Sequence, residues 1–393
     1  MRRHVVVSAI AIASFASFAS FAPAIQAQQA GANGPYKVLK SAKVGGEGGT
    51  DYIYADVEGR RLYIPRNTVR AVPATESAPA RDSIPGRITV FDLETLAPLG
   101  EVPGTAGNGA AVDSKSGHGF SSSHPDVSIW DTKSLQLIKR IPAGAGMAPD
   151  GILADSYKQR VYVFSHPTKD ATVFDAKDGT VLGTIDLGGV PEQGVADGKG
   201  TLYVVMQDAQ GSVTKVDVNT MKAVAHFPFG DKGGSCNGLA LDAKNHILFA
   251  ACGASGGLQP AQMGANGQPL PQRQLPQPMM VILSADDGHI ITSLPLAGGS
   301  DGAAFNPATM EAFSSHSNGT LTIVKEKSPT SFEVEQNLQT MLGARTLTLD
   351  NKTGRIFVMS VERGPAPPPP PGGGRGSGAP AIPGSFTILM IGK

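Results

Sequence analysis

The stretch Ala148–Gly189, APDGILADSYKQRVYVFSHPTKDATVFDAKDGTVLGTIDLGG, decides the fold. It divides into four runs rich in β-branched and aromatic residues: GILAD, RVYVFSH, ATVFDA and TVLGTIDLG. Between them lie SYKQ, PTKD and KDG, clusters of Asp, Gly, Pro and Lys that suit tight turns. The unit is therefore four short antiparallel strands, and the chain repeats it.

Copies lie on both sides. Before it come GTDYIYAD, RRLYIPRN and GRITVFDLETLAPLGEVPG, then GNGAAVD, GHGFSSSH and DVSIWDTKSLQLIKRIPAG. After it come four more, the last being ARTLTLDNKTGRIFVMSV followed by SFTILMIGK. Phe91-Asp92, Trp130-Asp131, Phe174-Asp175 and Val216-Asp217 mark the third strand of successive copies, at the roughly 40–45-residue spacing of propeller blades. The seventh copy has only three strands. A spare strand, YKVLKSAKV at Tyr36–Val44, stands before the first copy. A missing strand at one end and a surplus one at the other describe a closed ring. The expected fold is all-β: a seven-bladed β-propeller over residues 36–393, its last blade completed by the N-terminal strand.

Residues 1–27 read as a signal peptide. Arg2, Arg3 and His4 precede an apolar Ala/Ser-rich run that ends in small residues near Ala27. Residues 28–35 are a leader. The expected destination is the periplasm or the medium. Cys236 and Cys252 suit that oxidising destination. They fall at the start of the first strand and the end of the second in blade five, which antiparallel pairing sets side by side, so a structural disulfide is expected. The 33 basic and 33 acidic residues balance, which argues against nucleic acid as a partner. A monomer with no membrane span in the mature chain is expected.

Three insertions, at 66–86, 253–278 and 363–384, all fall between the second and third strands of their blades. That connection lies on one face of a propeller, the face where each first strand begins. Their Pro, Gly and Gln content suggests extended segments, and their one-sidedness suggests a rim for docking.

The same face collects the candidate site residues. The ends of second strands bring His124, His166 and His316, with His316 one residue out of register with the other two. The starts of first strands bring Asp51, Asn108, Asp150, Glu192, Asn237, Asp301 and Arg345. The histidines could hold a divalent metal, although the pattern favours hydrogen-bonded corners, because blade six lies across the ring from blades two and three. Most of the acids read as turn-capping groups. Glu192 and Arg345 are the exceptions, being too long for that role. No cofactor is implied beyond a possible divalent metal. No nucleophile elbow, His-Glu-x-x-His, phosphate loop or haem-attachment motif occurs.

LYIPRN, VYVFSH and LYVVMQ, with the Phe-Asp pattern that follows them, resemble the YVTN-type propeller repeat. VPEQGVADGKGTLYVV, SDGAAFNPATMEAFSSHSNGTLTIV and GARTLTLDNKTGRIFV are similar to the exported YncE-like propellers. The resemblance covers nearly all of 36–393 and implies a periplasmic seven-bladed propeller. It supplies no catalytic residue, and the chain departs from it by placing His at corners where the repeat has Asn. The functional expectation is a binding or scaffold protein, more a binder than an enzyme, engaging a periplasmic protein, peptide or small ligand on its loop-bearing face. The alternative is a metal-assisted hydrolase, lactonase or lyase at the channel mouth.

Overall fold

The computed structural model describes residues 33–393 except 75–78, 106, 124, 143, 145, 254–276 and 366–378. The expected signal peptide, most of the expected leader, His124 and the middle of each insertion lie outside the described residues. Those described form seven four-stranded antiparallel sheets, each with its strands in sequence order except the last. One 3-10 turn, Gly230–Lys232, is the only helical element among them. This is the seven-bladed propeller.

The repeated Asp of the third strand is explained by the turn it caps. Asp92 Oδ1 accepts the backbone N–H groups of Glu94 and Thr95, and Asp131 Oδ1 those of Lys133 and Ser134. Asp175 and Asp217 do the same for Lys177 and Asn219. Four residues after each Asp the chain turns left-handed, at Leu96, Leu135, Gly179 and Met221. A β-bulge follows in the same place in each of these blades. This Asx-capped hairpin with its bulge sets the register of the outermost strand.

Alternation does the rest. In Arg160–Ser165 and Asp170–Asp175 both faces are buried, because each blade lies between two others. Outermost strands such as Val181–Asp186 are largely exposed. The core is accordingly a set of inter-blade layers, for example Phe164, Val173 and Ile185 against Leu202, Val204 and Val216.

In blade seven, Leu347–Asp350, Arg355–Ser360 and Thr387–Gly392 are joined on the outside by Lys37–Lys43. Tyr36 fastens the joint. Its N–H donates to Gln336 Oε1 at 3.0 Å, its carbonyl accepts from Gln336 Nε2 at 2.9 Å, and its hydroxyl donates to Glu311. Lys393 Nζ reaches the same Glu311 at 2.8 Å. The described ends of two insertions are paired ribbons: Val69 bridges Ile84, Val72 bridges Arg81, and Arg363 bridges Ala381.

Candidate functional site at the channel mouth

In four of the seven blades the first strand begins with an irregularity that helps to create the site. In blades three to six the pairing slips between Pro149 and Ile152, Pro191 and Gly194, Cys236 and Gly238, and Ser300 and Gly302. Asp150, Glu192, Asn237 and Asp301 fall inside these slips, where their side chains meet those of neighbouring blades instead of filling a ladder position. The glycine that follows Asp150, Asn237 and Asp301 in sequence permits the close approach. A Cβ on Gly151 would stand 2.9 Å from Glu192 O, and one on Gly238 would stand 2.7 Å from the backbone of Gly302.

The polar side chains then join from blade to blade. Asn108 Nδ2 donates to Asp150 Oδ1 at 2.7 Å, and Asp150 Oδ2 lies 2.9 Å from His166 Nε2. His166 Nε2 is also 3.3 Å from Glu192 Oε1, which accepts from Gln207 Nε2 at 2.7 Å. Asn237 Nδ2 donates to Asp301 Oδ1 at 2.7 Å. Arg345 spans Asp301 Oδ2 at 2.6 Å and Asp51 Oδ1 at 3.0 Å. Nine of the ten sequence-derived candidates can thus be placed; eight belong to this network, and His316 does not.

His316 differs from His166 by one residue of register. His316 pairs with Ser300, whereas the partner of Pro149 at the equivalent place is Ser165, one before His166. In a strand, one residue turns a side chain to the opposite face. His316 is therefore fully buried within its blade, with Nε2 on Thr322 Oγ1 at 2.9 Å. Burial pushes its imidazole down to about 3.

Two further residues fill the mouth, and both stand where four of the seven blades have a glycine, blade seven having Thr346 there. In blades two, three, five and six the pair is Asn108-Gly109, Asp150-Gly151, Asn237-Gly238 and Asp301-Gly302; blade one has Asp51-Tyr52 and blade four has Glu192-Gln193. Tyr52 donates its hydroxyl to Glu192 Oε2 at 2.7 Å. Gln193 Oε1 accepts from the N–H groups of Leu239 and Ala303, both at 3.0 Å, and its Nε2 donates to Ala303 O at 2.9 Å. Their departure from the Gly pattern was the available signal.

The electrostatics centre on His166. Four carboxyls, Asp51, Asp150, Glu192 and Asp301, share the mouth with two cationic side chains, Arg345 and His166. The carboxylates of Asp150 and Glu192 close to Nε2 outweigh burial and raise the His166 imidazole to about 10. Burial raises Glu192, opposed by His166 and Tyr52, and raises Asp51 to about 7 against the pull of Arg345. Nε2 of His166 lies within ion-pair distance of both carboxylates, yet its N–H points along neither contact well enough to make a directed hydrogen bond. Asp150, His166 and Glu192 are, among the described residues, the only three His, Cys, Asp or Glu groups with ligand atoms within 4.8 Å of one another. A four-coordinate zinc site sets its ligand atoms roughly 3.3 Å apart, so this donor set fits a divalent cation. The His166 side chain is 33% exposed, while its Nε2, which faces both carboxylates, is buried.

Cys236 and Cys252 are disulfide-bonded, joining the first two strands of blade five.

No family profile matches the chain, and no curated protein matches it. Among solved structures it is similar to hydrazine synthase of Kuenenia stuttgartiensis, with 16% sequence identity over 78% of this chain and 91% of that one, at a TM-score of 0.58. At that identity the likeness shows a shared fold, and fold alone does not carry an activity.

Proposed function

We propose that the protein is an exported propeller of the YncE-like type that binds a small ligand at the loop-bearing mouth of its channel, through a divalent cation held by Asp150, His166 and Glu192. The observation that carries this reading is the convergence of those three side chains, with the His166 nitrogen between two carboxylates. A cation in place of the His166 proton would satisfy all three at once and offset the excess of carboxyls over cationic groups. Gln207 and Tyr52 would orient Glu192 from behind, and a ligand would approach over the exposed part of the His166 ring. Export is supported by the N-terminal pattern and by the disulfide. The test is metal analysis of protein purified without a His tag, followed by calorimetric titration of chelator-treated protein with zinc and with manganese. About one metal per chain, abolished by His166→Ala, is expected; no saturable binding of either metal would sink the reading.

A second reading, metal-assisted hydrolysis, is favoured by Asp51. This carboxyl belongs to the same ring and is raised to about 7, within the working range of a general base. Zinc-dependent turnover of a lactone or ester substrate, lost in Asp51→Asn with metal binding retained, would establish it.

A further inference from the structure

A cavity of about 670 Å³ lies between blades one and seven on the loop-bearing face. Its walls are the glycine-rich turn that precedes blade one, the end of the second strand in each blade, and the described ends of two insertions. Four arginines line it, Arg66, Arg81, Arg345 and Arg363, against a single acid, Glu47.

The arginines are held in different ways. Arg81 pairs with Glu47 at 3.2 Å, Arg363 donates to Ala379 O at 2.9 Å, and Arg345 is engaged by Asp51 and Asp301. Arg66 is the informative one. It is 1% exposed, yet no ion pair engages it among the described residues. Its guanidinium stacks over Phe386 at 3.8 Å, and its Nε donates to Gly48 O at 3.0 Å. Both of its Nη atoms lie 3.8 Å from the position a Cβ would take on Gly46, and Arg87 Nη2 lies 3.3 Å from that same point. Arg87 Nη1 is buried without a hydrogen-bond partner. Two guanidiniums are thus brought together beside the cavity with a single acid, Glu101, on the outer side of Arg87. Burying a cation without a counter-charge is costly, and guanidinium forks match the geometry of carboxylate and phosphate.

We propose that this cavity binds the oxyanion group of a small organic molecule, with Arg66 at its base and Arg81 and Arg363 at its rim. Gly46 and Gly48 have φ of +76° and +104°, a left-handed path that lets the turn fold over the Arg66 side chain. The cavity does not depend on a cation at the channel mouth, although Arg345 borders both.

The test uses the full mature chain, freed of metal, in low-salt buffer, titrated calorimetrically with inorganic phosphate and separately with succinate. One saturable site for at least one of these anions is expected. A preference for phosphate identifies a phosphorylated ligand, and a preference for succinate a carboxylate. Arg81→Gln and Arg363→Gln, both at the rim, should each weaken binding roughly tenfold, the loss expected of one charge-assisted hydrogen bond. Arg66→Met should abolish it, and the rim variants decide the matter if that protein does not fold. Lys222→Gln, which removes an exposed positive charge from the outer strand of blade four, should bind as the parent does. No saturable binding of either anion, unchanged affinity in both rim variants, or loss of binding in Lys222→Gln would each overturn the assignment.

Discussion

Tyr52 of blade one donates its hydroxyl to Glu192 of blade four, 2.7 Å away, so one side chain reaches across the channel mouth. That bond leaves Glu192 Oε1 for Gln207 and His166. Tyr52→Phe should keep the ring and lose the orientation of Glu192. Zinc affinity in the calorimetric titration should fall about tenfold, the usual scale for losing a group that positions a ligand. An unchanged affinity would remove Tyr52 from the site.

Gln193 is a different kind of residue, since its amide satisfies backbone groups of blades five and six inside the channel. Gln193→Ala strands two N–H donors and one carbonyl. The expected cost is about 2–3 kcal/mol, read as a lower urea midpoint with an unchanged slope. Gln193→Glu keeps the acceptor and should lie between the two.

The Cys236–Cys252 disulfide closes a loop with a sequence separation of 16. Cys236→Ser with Cys252→Ser should lower unfolding free energy by about 3 kcal/mol on the chain-entropy account. In cells, non-reducing peptide mapping of the fractionated periplasm should find the bond formed. Free thiols there would count against export to an oxidising compartment.

His316 should make the protein acid-sensitive. The folded state keeps the imidazole neutral down to about 3, whereas the unfolded chain takes up a proton near 6.5. Stability present above 6.5 is therefore lost as pH falls towards 3, by about 2 kcal/mol at pH 5. Asp51 and Glu326, both raised to about 7 by burial, work in the opposite direction over the same range, since the folded state holds their protons longer. The effect is isolated by difference. His316→Gln should lose stability less steeply than the parent between pH 7 and 5, and parallel curves would disprove the assignment.

The blades were legible in the sequence because their signal is local. Asp92, Asp131, Asp175 and Asp217 each cap a turn with atoms two or three residues away, so the fold's period is written in short segments. The ring of first-strand side chains was legible for the same reason, as each occupies the same place in its blade. Their convergence was not. Whether Asp150, His166 and Glu192 meet depends on how neighbouring blades rotate about the axis, and the contrast between His166 and His316 turns on a single residue of register. Tyr52 and Gln193 act on distant blades, so their partners could not be read from nearby residues.

Closure of blade seven by Lys37–Lys43 has a kinetic consequence. The strand's partner, Thr387–Gly392, is roughly 350 residues further along the chain, a separation whose loop-closure entropy must be met before the pairing stabilises anything. Through that interval both strands present unpaired edges. Ring closure is therefore expected to be a late folding step, seen as a slow refolding phase that is lost when Lys37–Lys43 is deleted, and until it occurs a holding chaperone has these edges to protect.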